Sequence, residues 1–320
     1  MAVIGMIKIR RFIQTEDEET WLEIWNAAYK EYDDYRPALM EDFEKAEKSP
    51  SFDPTGMLLA EWDGSPVGLV NAFIDKERTE KKGFIRVLGV HPAYRRKGIG
   101  RALVEKALES LAARGMNTVQ AWTQDDRLKC KSLYESLGFK LIRVFSTMRT
   151  SLEVIPSDIG KCREVKLRTM KMNDPEDVRL FWKLDTEAFK EHFNFRPRTL
   201  EEVEYEFREK PWCDIMEYYF GLLNGDPIGF TGVGVDSRFI KHSGIHRGYV
   251  LTIGVLKPAR RQGIGTALIL KGMKALQSKG MTEVELGVDD SNPTKAIELY
   301  KKVGFQTVRK DLTYEKQILK

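Results

Sequence analysis

Arg95-Arg96-Lys97-Gly98-Ile99-Gly100 and Arg260-Arg261-Gln262-Gly263-Ile264-Gly265 are two copies of one loop, and each gathers the residue types that hold a diphosphate. Glycines two positions apart carry no β-carbon to keep an anion away from the backbone amides. The segments that follow, Ile99 to Ala113 and Ile264 to Lys279, have helical apolar spacing. A helix N-terminus presents unpaired N–H groups and about half a positive charge from its macrodipole. Basic side chains in the loop add charge-assisted hydrogen bonds to phosphate oxygens. Arg101 and Thr266, next along the two helices, complete the candidate anion site. A lone Gly-x-Gly in a basic loop is more often a tight turn; two copies at matching places carry the reading. The spacing is neither the Gly-x-x-x-x-Gly-Lys-[Ser/Thr] of nucleoside triphosphatases nor a Gly-x-Gly-x-x-Gly after the first strand.

The rest of the chain is duplicated as well. Leu88-Gly89-Val90 before the first loop matches Ile253-Gly254-Val255 before the second. Arg114-Gly115-Met116 returns as Lys279-Gly280-Met281, Leu133-Tyr134 through Gly138-Phe139 as Leu299-Tyr300 through Gly304-Phe305, and Tyr35-Arg36-Pro37 as Phe195-Arg196-Pro197. The period far exceeds the roughly 20 to 50 residues of solenoid repeats, so it marks a duplicated domain. Ile155-Pro156-Ser157-Asp158-Ile159-Gly160 supplies turn residues between the copies. The expected organisation is a first domain over 1–153, a linker over 154–164 and a second domain over 165–320.

Each copy must position its loop with the same elements. Asp63-Gly64 lies between Met57–Ala60 and Val67–Phe73, and Asn224-Gly225 between Tyr218–Leu223 and Ile228–Val235. Both are hairpin signals. Strands over Val87–Val90 and Val119–Thr123 flank the first loop's helix, as Val250–Val255 and Val284–Val288 flank the second. These are βαβ units behind an antiparallel front, an α/β fold class. Tyr134 and Tyr300 fall on short helices ended by Gly138 and Gly304; in the second copy Asn292 is the expected N-cap and Pro293 the first helical residue.

Arg-x-x-Gly-x-Gly after a strand ending in Val, followed by Leu-Tyr-x-x-x-Gly-Phe, resembles the GNAT acetyltransferase superfamily twice over, and the tandem arrangement is similar to that of mycothiol synthases. The resemblance implies a mixed, mostly antiparallel sheet with flanking helices in each domain, and a V-shaped split between strands 4 and 5. It implies that acetyl-CoA, as acyl donor, lays its pyrophosphate on the loop residues Arg95 to Arg101 and Arg260 to Thr266. The thioester then follows the fourth strand along Leu88, Val90, Ile253 and Val255, with Asn292 beside it. Tyr134 and Tyr300 are the implied acids for the departing thiolate, which suits a phenol of pKa about 10 beside a thiol of about 8.5. Asp126 stands in copy one where copy two has Asn292, which favours copy two as the better catalytic unit. Neither fourth strand carries the carboxylate that serves many members as base. Water relayed to Asp289, Asp290, Glu191 or His192 is the alternative, although side chains of these types are usually solvated surface residues.

The implied function is transfer of acetyl to a primary amine of a small molecule or peptide, by direct attack in a ternary complex. The alternative is an acyl-CoA-binding protein without turnover, or an enzyme with one vestigial domain. Composition is ordinary for a soluble globular protein. The 320 residues are 42% hydrophobic and 31% charged, and 52 basic against 48 acidic side chains leave +4, too balanced for a general nucleic-acid binder. No run approaches the roughly 18 apolar residues of a membrane span. Cys130, Cys162 and Cys213 are widely spaced, fitting a reducing cytoplasm, and His242 and His246 have no companions, so no metal is expected. The oligomeric state is left open.

Overall fold

Asp63 and Gly64 have φ of 50° and 83°, and Asn224 and Gly225 of 55° and 94°. Two successive left-handed residues make the tight turn whose twist matches a hairpin, so each domain begins its sheet locally. The structure, a computed structural model, describes residues 5–156, 165–211 and 213–318. Most of the expected linker, from residue 157 on, and Cys162 lie outside the described residues.

The chain divides into two compact units, Met1–Arg143 with Asp311–Lys320, and Val144–Lys310. In chain order, the elements through the first copy are β1 (Ile7–Arg11), α1 (Glu18–Tyr29), α2 (Met40–Glu47), β2 (Met57–Trp62), β3 (Ser65–Ile74), β4 (Lys82–Val90), α3 (Ile99–Ala113), β5 (Thr118–Gln124), α4 (Leu128–Ser136) and β6 (Lys140–Ser151). The second copy repeats them as β7 (Lys166–Thr169), α5 (Pro175–Phe189), α6 (Leu200–Glu209), β8 (Ile215–Leu223), β9 (Asp226–Val235), α7 (Ser237–Ser243), β10 (Arg247–Val255), α8 (Ile264–Ser278), β11 (Glu283–Asp289), α9 (Ala296–Lys302) and β12 (Gln306–Gln317). Short α7 has no counterpart in the first copy.

Strand order is β1-β2-β3-β4-β5-β12 in unit 1 and β7-β8-β9-β10-β11-β6 in unit 2. The units therefore depart from the domains that the duplication suggests, because each takes its last strand from the other copy. Asp311–Gln317 of β12 runs antiparallel to β5, and Phe145–Ser151 of β6 runs antiparallel to β11. The two strands bring equivalent buried triplets, Leu312-Thr313-Tyr314 and Ser146-Thr147-Met148. Two slots built by one duplicated sequence accept either strand, which is the condition for swapping an identical element.

The pairs β4–β5 and β10–β11 are parallel and short, covering Lys82–Ile85 with Thr118–Ala121 and Arg247–Tyr249 with Glu283–Glu285. Where that pairing stops, β4 and β10 each carry one extra residue against the preceding strand, Arg86 and Leu251. A bulge bends its strand and leaves a residue outside the ladder. Here it turns Val87–Val90 and Thr252–Val255 away from β5 and β11, opening a wedge in each sheet. Helices α3 and α8 pack on the sheet beside the wedge, against β3 and β4 and against β9 and β10. Their contact with the sheet is intimate, because a Cβ on Gly83 would lie 2.6 Å from a Leu111 methyl, and one on Gly248 would lie 2.5 Å from Leu276. Leu103, Val104, Ala107 and Leu111 are completely buried on α3. Each buried leucine side chain contributes about 1.5–3 kcal/mol.

Each unit also fastens its first strand to its first helix in the same way. Arg10 donates to both carboxylate oxygens of Asp17, as Arg168 does to Asp177 at 2.8 Å for each bond. Both aspartates also accept a backbone N–H, from Ile13 at 2.7 Å and Lys171 at 2.8 Å. The guanidinium holds each carboxyl below its ordinary range.

Candidate functional site

A cavity of about 1130 Å³ fills the wedge of unit 1, and one of about 1270 Å³ fills that of unit 2. At the open end of each, just past Val90 and Val255, lies the glycine loop. Arg96 and Arg261 have φ of 66° and 64°, and Gly98 and Gly263, the N-caps of α3 and α8, have 86° and 84°. Alternating left-handed residues turn successive N–H groups toward one point, a nest for an anion, and the helix dipole adds to it.

The loop's first arginine has a different part from the one its charge suggests. Arg95 donates from Nε to the Val90 carbonyl at 3.1 Å, to the Ala28 carbonyl at 2.9 Å and to Glu31 at 2.5 Å. Arg260 repeats this with Val255 at 3.0 Å, Ala188 at 2.9 Å and Glu191 at 3.2 Å. Both guanidiniums thus brace the loop between the open strand and the end of the first helix. Exposed Arg96 and Arg101 line the first cavity, Arg101 resting on Ser136, and Arg261 lines the second while donating to the Thr294 carbonyl.

The remaining sequence-derived residues separate as follows. Leu88, Val90, Gly98, Ile99, Gly100 and Tyr134 line the cavity of unit 1. Ile253, Val255, Gly263, Gly265, Thr266, Asn292 and Tyr300 line that of unit 2. Three residues fall outside these linings. The Lys97 ammonium stacks over Trp62 and Tyr94 at 4.6 and 5.2 Å, Gln262 donates to the Pro258 carbonyl at 3.1 Å, and Ile264 is buried with Ala259 and Leu268. The second x of each Arg-x-x-Gly-x-Gly loop points off the wedge because the left-handed residue before it reverses the side-chain direction.

Asn292 and Pro293 do not open the helix as expected. Asn292 Oδ1 accepts from the backbone N–H and hydroxyl of Thr294, and α9 begins three residues beyond Pro293, at Ala296, behind left-handed Lys295. A short amide side chain that bonds its own backbone two residues on makes a turn in competition with a helix. At the other end, Gly138 and Gly304 close α4 and α9 with φ of 81° and 100°, the expected C-terminal conformation.

The two tyrosines are buried but differently engaged. Tyr134 shares a hydrogen bond with the Cys130 thiol, which Thr123 also bonds, and burial raises both groups above their usual pKa. Tyr300 has no hydrogen-bond partner among the described residues, and burial alone pushes its phenol upward. Both stay protonated at neutral pH, as a proton donor must.

Sequence reasoning missed what lies along the open strand. In unit 1 the Tyr29 hydroxyl donates to the Leu88 carbonyl at 3.0 Å. Across the wedge, Gln124 and Arg127 both reach Asp34, at 2.9 and 3.7 Å, and the Arg127 guanidinium stacks on Tyr32 at 3.6 Å. The matching positions in unit 2 are Phe189, Asp289, Asn194 and His192, and Pro293 stands at the Arg127 position, so unit 2 has neither the Tyr29 phenol nor the Arg127 guanidinium. The aligned pairs Tyr29/Phe189 and Tyr32/His192 were the available signal. Of the other proton acceptors considered, Glu191 is held by Lys257 and Arg260, and Asp290 accepts from Ser146 at 2.6 Å.

The model of the acetyltransferase (GNAT) family matches residues 15–139 and again 180–305. A mycothiol acetyltransferase of Salinispora arenicola is 30% identical over 72% of this chain and 72% of its own length. That of Renibacterium salmoninarum is 28% identical over 71% of this chain and 65% of its own. A tandem GNAT protein from the clavulanic acid biosynthesis pathway superposes with a TM-score of 0.75 over 98% of this chain and 99% of that one, at 16% identity, which speaks for the fold alone. With both copies of the loop, wedge and tyrosine matched, the chain belongs to the GNAT family, as a tandem acetyltransferase that moves acetyl from acetyl-CoA to an amine.

Proposed function

We propose that this chain acetylates a primary amine of a small molecule by direct attack on acetyl-CoA in a ternary complex, with unit 2 as the transferring unit and Tyr300 as its acid. The observation that carries the assignment is the uncommitted Tyr300 hydroxyl, in a wedge whose open strand β10 meets no tyrosine at the Tyr29 position. Loop amides and the α8 dipole hold the pyrophosphate, and the free edge of β10 offers backbone groups to the pantetheine arm. The amine enters beside Phe189, and the phenol delivers a proton to sulfur as the C–S bond breaks. The mycothiol acetyltransferase relatives support a small-molecule acceptor over a peptide. The wide spacing of Cys130, Cys162 and Cys213 supports a reducing cytoplasmic setting.

A second reading concerns unit 1. Tyr29 on the Leu88 carbonyl and Cys130 on Tyr134 favour a site that holds acyl-CoA without turnover.

Release of CoA thiol from acetyl-CoA, measured with ethanolamine, glucosamine, cysteine and lysine as acceptors, tests the assignment in two loop variants. Position 265 lies in the first turn of α8, where aspartate suits the helix but repels a phosphate. Gly265→Asp should abolish turnover and the equivalent Gly100→Asp should leave it nearly intact; the reverse pattern would move catalysis to unit 1.

A further inference from the structure

His192 sits in the turn after α5, where its backbone N–H donates to the Phe189 carbonyl at 2.8 Å and its ring meets Phe189 edge-on at 4.6 Å. It is half-buried and lines the same cavity as Tyr300, Asp289 and the open edge of β10. Among the described residues its imidazole has no hydrogen-bond partner. The duplication supplies a control within the chain. In unit 1 the same position holds Tyr32, stacked under Arg127, whereas in unit 2 proline, Pro293, follows Asn292 and no guanidinium covers the ring. One wedge is thus filled by a ring and a cation, and the other presents an unoccupied base.

We propose that His192 is the general base of the transfer, a step that rests on unit 2 being the transferring unit. The acceptor arrives as an ammonium and gives one proton to an imidazole nitrogen as its lone pair closes on the thioester carbon. When the tetrahedral adduct collapses the C–S bond breaks, and Tyr300 gives its phenolic proton to the sulfur. The surplus proton on the new amide nitrogen restores the phenol, and His192 passes its own to water. Ammonium and thioester become amide, thiol and one released proton.

Charges around the ring favour the neutral form. Burial and Arg260 push the imidazole below its ordinary value, and Asp289 and Glu191 oppose them less strongly. The other ionisable groups of the lining are Lys257, Arg261, Lys295, Glu298, Lys302 and Tyr300. A base works only when deprotonated, so kcat/KM should fall as pH drops through the His192 pKa, below about 6.5.

The test is the pH profile of kcat/KM for the wild-type chain, His192→Gln and Tyr300→Phe, using acetyl-CoA and whichever of the four amines turns over fastest. His192→Gln should lose about 10²-fold or more in kcat/KM at pH 7 and lack the acid limb below pH about 6.5, with acetyl-CoA affinity unchanged. Added imidazole should restore part of the rate in His192→Gly, a recovery that a packing role cannot give. Wild-type rate and acid limb in His192→Gln, with turnover lost in Tyr300→Phe, would remove His192 from the mechanism and leave unit 2 as the transferring unit. Wild-type rates in both variants would overturn the choice of unit 2 as well.

Discussion

The Tyr29 hydroxyl stands 3.0 Å from the Leu88 carbonyl oxygen, on the edge of β4 that faces the wedge rather than β3. An acyl-pantetheine arm lying along that edge must compete with the phenol. Position 189 in unit 2 is phenylalanine, so the matching Ile253 carbonyl meets no such donor. A neutral hydrogen bond is worth about 1 kcal/mol, roughly a fivefold change in binding. Phe189→Tyr should therefore weaken the KM for acetyl-CoA about fivefold, and Tyr29→Phe should tighten CoA binding at unit 1 by a similar factor. Steady-state kinetics and calorimetry would read the two effects separately, and no change in either variant would remove the carbonyl from the pantetheine path.

Two nests of the same geometry should bind two ligands. Isothermal titration with CoA should give close to two sites per chain, falling to one in either Gly100→Asp or Gly265→Asp. A stoichiometry of one in the unmodified chain, lost with Gly265→Asp but not with Gly100→Asp, would show that the first nest is empty of function.

The Arg10–Asp17 and Arg168–Asp177 braces make stability acid-sensitive. Both carboxyls titrate below their ordinary range in the folded chain, chiefly through the arginine hydrogen bonds. Their contribution is therefore complete above the unfolded value near 3.9 and disappears as pH falls through the lower folded value. Hydrogen bonds to charged groups contribute about 1.5–3 kcal/mol. Asp17→Asn should cost that much at pH 7, and Asp177→Asn less, because the Arg168 side chain is 41% exposed against 24% for Arg10. Urea denaturation at pH 7 and pH 3 should show each variant's deficit shrinking in acid; an equal deficit at both pH values would count against the braces.

What the sequence made legible was local or repeated. Asp63-Gly64 and Asn224-Gly225 announce their hairpins because only a left-handed pair turns that tightly, and the loop announces its nest through glycine spacing next to helical periodicity. The exchange of β6 and β12 was hidden for the opposite reason. Two strands descended from one ancestor satisfy both slots, and no pattern within either says which it fills. Arg95 and Arg260 read as phosphate ligands from charge alone; their direction depends on the Ala28 and Ala188 carbonyls, far away in sequence. Nothing in the sequence around Tyr29 announces its bond to the Leu88 carbonyl, which depends on the bulge that swings β4 outward.

The most direct test of the account compares Tyr300→Phe with Tyr134→Phe in turnover and in acetyl-CoA affinity. Acid assistance typically contributes about 10²- to 10⁴-fold, far beyond the effect of deleting one oxygen from a packed ring. The account predicts that kcat collapses by at least about 10²-fold in Tyr300→Phe with acetyl-CoA affinity preserved, and that Tyr134→Phe stays within a few-fold of the unmodified chain. Full turnover in Tyr300→Phe beside collapse in Tyr134→Phe would place the chemistry in unit 1 and contradict it.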